Sequence, residues 1–177
     1  HHGGPDKAVH HYPREHYLAW RAELGEHPLL ADAGAFGENL STWGLTEADV
    51  AIGDRFAVGN AIVEVSQGRQ PCFRLNLRFG QSDIALRMQR SGHAGWYYRV
   101  IQQGLVARGD TLHLIDRLTP SWTIARLHRI LYLDPLDRDE LRCMAALAHL
   151  PDRWRAIAEH RLHSDRVEDW TRRLCGS

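Results

Sequence analysis

The chain has 177 residues, 44% hydrophobic and 25% charged, and its 22 basic and 22 acidic side chains give a formal net charge of zero. That length suits one domain, or one domain with a small appendix, and the charge balance removes the electrostatic case for nonspecific binding to nucleic acid or an anionic membrane. No apolar run approaches the ~20 residues of a membrane-spanning helix, and no signal-peptide pattern opens the chain.

The first segment, "HHGGPDKAVHHYP", carries a Gly-Gly-Pro turn ahead of Asp6 and Lys7. Gly3 and Gly4 let the backbone take positive φ or approach a ligand closely, and exposed N–H groups beside His2 and Lys7 suit a phosphate. A plain tight loop leading into the next helix explains the same residues. That helix is "YPREHYLAWRAEL", with Pro13 in its first turn and Tyr17, Trp20 and Leu24 at helical spacing. In "AFGENLSTWGL", Asn39, Ser41 and Thr42 offer hydrogen-bond donors to a polar ligand such as a pterin ring or a phosphate. A solvated turn is the alternative.

"VAIGDRFAVGNAIVEVSQ" predicts two strands around Gly-Asp and Gly-Asn turns, with Val63 and Val65 inward and Glu64 and Ser66 outward. "VSQGRQPCFRLN" then runs off a strand into a loop holding Cys72. Pro71 holds the preceding residue extended and aims the one that follows. Arg69 is placed to favour thiolate over thiol, the form that acts as nucleophile or soft-metal ligand. Ser82 predicts a cap for "DIALRMQR", and "GWYYRVIQQGLVARGDTLHLIDR" predicts a strand, a hairpin and a second strand. Short strands at this spacing suggest a mainly β, barrel-like domain.

From about Thr119 onward Gly176 is the one glycine, and the periodicity is helical. Ile124, Leu127 and Leu131 share a face. Asp137 and Glu140 form a capping-box pattern, Pro151 opens the next helix, and Ser164 is placed to cap "DRVEDWTRRL", with Val167, Trp170 and Leu174 on one face. Each helix is too short to stand alone in water, so they are expected to pack on one another as an appendix beginning near Leu118–Pro120. The cysteines Cys72, Cys143 and Cys175 match neither a disulfide framework nor a CxxC zinc site, so a cytoplasmic, reduced protein is expected. Cys143, among Met144, Ala145 and Leu147, reads as core packing, and Cys175 as an inert tail residue.

Taken together, "HGGPDKAVHHYPREHY", "FGENLSTWGLTEADVAIGD" and "VSQGRQPCFRLN" resemble the MOSC domain family, and most closely its YiiM type, in which the MOSC domain is followed by a small 3-alpha helical domain. The resemblance spans essentially the whole chain. It implies a MOSC domain over residues 1–118, whose N-terminal part is missing relative to the family, and a 3-alpha domain over residues 119–177. It implies a molybdenum cofactor, a phosphate-bearing molybdopterin whose dithiolate holds the metal, with Cys72 as the protein ligand to molybdenum.

The cofactor-binding residues expected on this resemblance are His2, Gly3, Gly4, Lys7, Asn39, Ser41, Thr42 and Arg69. It implies reduction of N-hydroxylated compounds, such as N-hydroxylated purines, hydroxylamine and amidoximes. No dinucleotide or flavin fingerprint is visible, so electrons are expected from a separate flavin- or NAD(P)H-dependent reductase. No nucleic-acid or membrane partner is expected. A non-enzymatic carrier of the cofactor or its sulfur, and a metal-free cysteine enzyme, are the other readings.

Overall fold

The computed structural model describes residues 3–176. Five strands form one antiparallel sheet in the order β1-β4-β3-β2-β5, with β1 at Val9–His11, β2 at Arg55–Val58, β3 at Ala61–Gly68, β4 at Trp96–Gln102 and β5 at His113–Asp116. The sheet is open, ending in β1 on one side and β5 on the other. Among the described residues seven α-helices accompany it: α1 (His16–Leu24), α2 (Arg74–Phe79), α3 (Ile84–Ser91), α4 (Ile124–Tyr132), α5 (Arg138–Ala145), α6 (Asp152–Ser164) and α7 (Thr171–Cys175). Among the described residues no helix is long and apolar enough to cross a membrane.

The strand pattern corrects one expectation. β4 and β5 are not a hairpin: β4 pairs with β1 and β3, and β5 pairs with β2. The linking loop passes over the tip of the β2–β3 turn instead. The Leu105 carbonyl accepts from Asn60 N at 3.1 Å, and Gly104 lies so close that a Cβ there would sit 2.3 Å from the Asn60 carbonyl carbon. The chain therefore lands on the far side of β2. The inward–outward alternation predicted for β3 also fails, because both of its faces are covered. Glu64 is 2% exposed and bonds to Arg55 at 2.7 Å, while Ser66 Oγ donates to the Asp6 carbonyl at 2.6 Å.

Two apolar clusters flank the sheet. One joins strand residues Phe56, Val63, Val65, Trp96 and Tyr98 to helix residues Ile124, Leu127, Ile130, Trp154 and Ala158. The C-terminal helices thus pack on the sheet as well as on one another. The second gathers Tyr12, Tyr17, Trp20, Phe36, Leu75, Phe79, Ile84 and Met88 from α1, α2, α3 and their loops. Burying a side chain of this size stabilises by about 1.5–3 kcal/mol, which is why helices of six to nine residues persist here.

Caps agree with the sequence in part. Asp137 accepts from Asp139 N and Glu140 N at 3.1 Å, and Pro151 stands at the N-terminus of α6. Glu140 does not close a capping box, because Arg126 and Arg129 each hold its carboxylate at 2.8 Å. Ser82 does not cap α3. Asn76 does that work, its Oδ1 accepting from Ala85 N at 2.8 Å while its Nδ2 donates to the Ser82 carbonyl. Ser164 ends α6 rather than starting a helix, the chain turns at Asp165 (φ 50°), and helix resumes only at Thr171. Cys143 is exposed: α5 buries Leu141 and Met144, and that phase turns Cys143 outward.

Candidate functional site

The Cys72 loop links the two apolar clusters. β3, in the first, ends at Gly68, and α2, whose Leu75 and Phe79 belong to the second, begins at Arg74. Arg69, Gln70, Pro71, Cys72 and Phe73 lie between them. Arg69 N donates to the Gly95 carbonyl at 3.0 Å, and Gly95 N donates to Glu47 Oε1 at 2.6 Å. Glu47 is buried, and its other oxygen meets His16 Nε2 at 2.7 Å. This bonding holds the carboxyl below its ordinary range against the opposing effect of burial, which is the larger single influence. A fixed acid thus anchors the backbone beside the loop. Gly95 has no substitute there, because its φ is 74° and a Cβ would stand 2.2 Å from the His11 carbonyl.

Lys7 lies within electrostatic reach of Cys72, and Tyr97 within reach of both Cys72 and Arg69. Lys7 closes a short 3-10 turn, Pro5–Lys7, that starts from Gly4 at φ 109°. Its Nζ lies 6.0 Å from the centroid of the Tyr97 ring. Burial, and then the Arg153 guanidinium, lower the Lys7 pKa, while the Cys72 sulfur opposes them. Burial raises the Tyr97 phenol, with Arg69 and Cys72 acting on it in opposite senses. Arg69 is half-buried, and its Nη1 has neither solvent nor a hydrogen-bond partner among the described residues. His10, whose ring lies tilted against Tyr97 with centroids 4.9 Å apart, has its Nε2 in the same condition. Burial, with Arg69 second, holds His10 well below the ordinary imidazole range.

The expected residues therefore divide. Lys7 and Cys72 act on each other and Tyr97 joins Cys72 to Arg69, with Gly4 shaping the turn that carries Lys7 and Gly3 exposed beside it. His2 lies outside the described residues. Asn39, Ser41 and Thr42 line a different cleft of about 740 Å³, with Arg14, Trp43 and Arg108, whose lining includes none of Lys7, Arg69 or Cys72. Asn39 spends its side chain on the backbone, Oδ1 accepting from His10 N at 2.8 Å. Thr42 Oγ1 is 3.0 Å from His11 Nε2, and the Ser41 hydroxyl is buried without a partner among the described residues. Asn39 thus reaches the thiol site only through the strand that carries His10.

His10, Tyr97 and Arg153 are the residues that sequence reasoning missed. The adjacent aromatics of "HHYP" and "WYY" were the available signal, since alternate residues of paired strands must face the same side. Arg153 had none, because its helix lies far along the chain.

The donor set fits an anionic group that brings most of its own metal ligands. Among the described residues no three His, Cys, Asp or Glu side chains gather as a metal site, so a metal held by protein alone finds no cage here. A metal already bound by a dithiolate needs one soft thiolate, and Cys72 is half-buried and free. An attached phosphate needs unpaired cations, and Arg69, whose Nη1 is orphaned, and Lys7, which feels the Cys72 sulfur, could supply them.

Residues 1–113 match the MOSC domain family, and residues 122–165 match a family described as the YiiM-like, 3-alpha helix domain. Protein YiiM of Escherichia coli is 45% identical over 175 residues, covering 99% of this chain and 78% of that protein. The crystal structure of YiiM from Escherichia coli superposes with a TM-score of 0.90 at 44% identity, covering 97% of this chain and 85% of that one. A protein of Gibberella moniliformis named "Reductase" is 40% identical over 166 residues, which are 92% of this chain and 29% of that protein.

Proposed function

The chain belongs to the MOSC domain family, and from that membership we propose that it is a molybdenum-cofactor-dependent reductase of N-hydroxylated compounds, with Cys72 as the protein ligand to the metal. The observation that carries this reading is the pairing of a free thiol with cations that have no acid partner. A buried guanidinium nitrogen without a partner is costly, and an anion bound at the site would offset that cost. The relative named a reductase supports the redox half of the reading.

In this reading the chain binds, orients and shields. Cys72 presents its sulfur from a loop fixed at Gly95. Arg69 and Lys7 hold the anionic end of the cofactor, and Tyr97 with His10 walls the site. Neutral His10 adds no positive charge and leaves Nε2 to hydrogen-bond a polar group. When bound, the cofactor supplies two-electron chemistry, so that N–OH with two electrons and two protons yields N–H and water. The electrons come from a separate flavin- or NAD(P)H-dependent reductase, and the free thiols fit a cytoplasmic setting.

The test is molybdenum content and turnover of protein made in a host competent to make the cofactor. Near-stoichiometric molybdenum, with consumption of an N-hydroxylated purine under a chemical reductant, is expected. Cys72→Ala should lower that turnover by roughly 10³-fold or more while leaving the fold intact, as removal of an essential reacting group does. Cofactor bound without turnover would assign the chain a carrier role instead. Full activity in Cys72→Ala would remove the ligand assignment.

A further inference from the structure

The C-terminal helix α7 lies at the end of the chain remotest in sequence from Lys7, yet it is bonded to the Cys72 loop. Arg173 donates through Nη1 to the Pro71 carbonyl and through Nη2 to Gln89 Oε1, the latter at 2.6 Å. Its own carbonyl accepts from Phe73 N at 2.8 Å. One residue therefore grips the backbone on both sides of Cys72. The next carbonyl, Leu174 O, accepts from Asn76 Nδ2 at 2.9 Å, and Asn76 sits in the first turn of α2. Gly176 is pressed against Phe73, where a Cβ would stand 2.8 Å from the ring.

Three further facts describe how Arg173 is held. It has no carboxylate partner among the described salt bridges, unlike Arg126, Arg129, Arg138, Arg142 and Arg161, so its guanidinium bonds go to the loop carbonyl and to Gln89. Gln89, its second acceptor, is buried and belongs to α3, which packs in the cluster beneath α2. The guanidinium also lies 5.6 Å from the centroid of the Tyr132 ring, on α4. An arginine that forgoes an acid, bonds a loop carbonyl and is braced by two other helices is placed to fix that loop. A charge-assisted hydrogen bond to a carbonyl is stronger than a neutral one.

We propose that Arg173 is a positioning residue for Cys72: by clamping the Pro71 carbonyl and the Phe73 amide, the last helix sets how far the thiol is presented. The helical segment then serves the site directly as well as covering the sheet. This rests on Cys72 being the reactive thiol of the site, but it concerns only residues of this chain, so it can be tested without cofactor.

The experiment is alkylation of Cys72 by iodoacetamide in a Cys143→Ser, Cys175→Ser background, which leaves one thiol. Rates are taken well below the melting temperature of each variant, in both cofactor-free and loaded protein. Arg173→Gln should raise the rate at Cys72 by roughly tenfold, the population shift expected on losing a charge-assisted hydrogen bond, and Arg173→Lys should restore part of it. Leu174→Ala, which removes a buried side chain from the same helix, should lower the melting temperature without that acceleration.

An unchanged rate in Arg173→Gln would overturn the proposal. So would equal acceleration in Leu174→Ala, because general loosening would then explain it. If wild-type protein holds no molybdenum yet Arg173→Gln still exposes Cys72, the functional reading fails and the clamp stands. If molybdenum and turnover are present but Cys72 is indifferent to Arg173, the clamp fails alone.

Discussion

The middle of β3 and its C-terminal end handle charge in opposite ways. At Glu64, 2% exposed, Arg55 and Arg99 close on one carboxylate, and Arg99 also meets Asp6 at 2.9 Å. Nearby, fully buried Asp54 accepts from Arg117 at 2.7 Å and from Ala51 N at 2.9 Å. The charges there are paired in the chain itself. Five residues beyond Glu64, just past the strand's end, the chain reaches Arg69, which acts on His10, while Lys7 and Cys72 act on each other, and neither Lys7 nor Arg69 has an acid partner among the described salt bridges. The acids of the first region are each matched by arginines, whereas Arg69 and Lys7 have no acid partner among the described salt bridges, and that is the contrast the proposed site rests on. The paired region is architecture, and the unpaired region is where the proposed site lies.

The contrast is broken most forcefully at the paired end. Asp54→Ala should cost about 4 kcal/mol, because it removes a buried carboxylate together with its hydrogen bonds and strands Ala51 N. Urea unfolding measures this. Iodoacetamide alkylation of Cys72 in native buffer should not change, and if it did, the two regions would not be separable.

Next comes acid. Burial, only partly opposed by Glu47, pushes the His11 pKa down to about 4. The unfolded chain, with an ordinary imidazole pKa near ~6.5, binds more protons through that interval, so stability rises with pH there. The contribution is fully present above pH ~6.5 and is lost as pH falls toward about 4, by about 3 kcal/mol in all. His10, lowered in the same direction, adds to it. Unfolding free energies from pH 7 to 4 should show this slope in the wild type and a reduced slope in His11→Gln. Equal slopes would mean that His11 charges without penalty and that the site end is less sealed than its packing indicates.

Much of the candidate site is legible in the sequence because local chemistry marks its residues out. Pro71 ahead of Cys72, Arg69 three residues before it and the glycines ahead of Lys7 stand out in a linear reading. The helical face of Ile124, Leu127 and Leu131 was legible too, since a period of 3.6 needs no tertiary knowledge. What was hidden is what pairing and packing decide. The outward prediction for Glu64 failed because arginines from β2 and β4 supply its partners, and no strand periodicity reveals a cross-strand ion pair. The β4–β5 hairpin failed because the loop at Leu105 is held by the turn at Asn60, a contact between segments that do not adjoin. Arg173 was indistinguishable from its neighbours in "WTRRL" until the fold set it against Pro71.

At the unpaired end, a smaller effect of opposite sign is expected. Arg69→Met keeps the apolar stem and removes the unpartnered guanidinium, so cofactor-free protein should gain up to about 1 kcal/mol. Molybdenum retained per chain should fall at least tenfold, the loss of a charge-assisted contact to the bound anion. Destabilisation of the empty protein would show that Arg69 already has its partner within the chain.

The smallest effect is expected at Cys143, which brings the comparison down to two thiols. Cys143 is exposed on α5, flanked by Arg142, and Arg142 already donates to Asp139 at 2.6 Å. Around it Arg138 is bound by Asp165 and Glu140 by Arg126 and Arg129, so that surface has spent its charge internally, as at Glu64. Cys143→Ala removes no buried volume and no hydrogen bond, and should change stability by no more than about 0.5 kcal/mol in either direction. Molybdenum content and turnover should not move. Cys72→Ala should show the reverse, with chemistry lost and the fold kept. If Cys143→Ala instead cost the 1–2 kcal/mol of a buried side chain, α5 would have to be rotated from the phase that buries Leu141 and Met144, and the helical surface near the site would need redrawing. The two substitutions together ask whether a cysteine matters here because of its sulfur or because of the unpaired cations set around it.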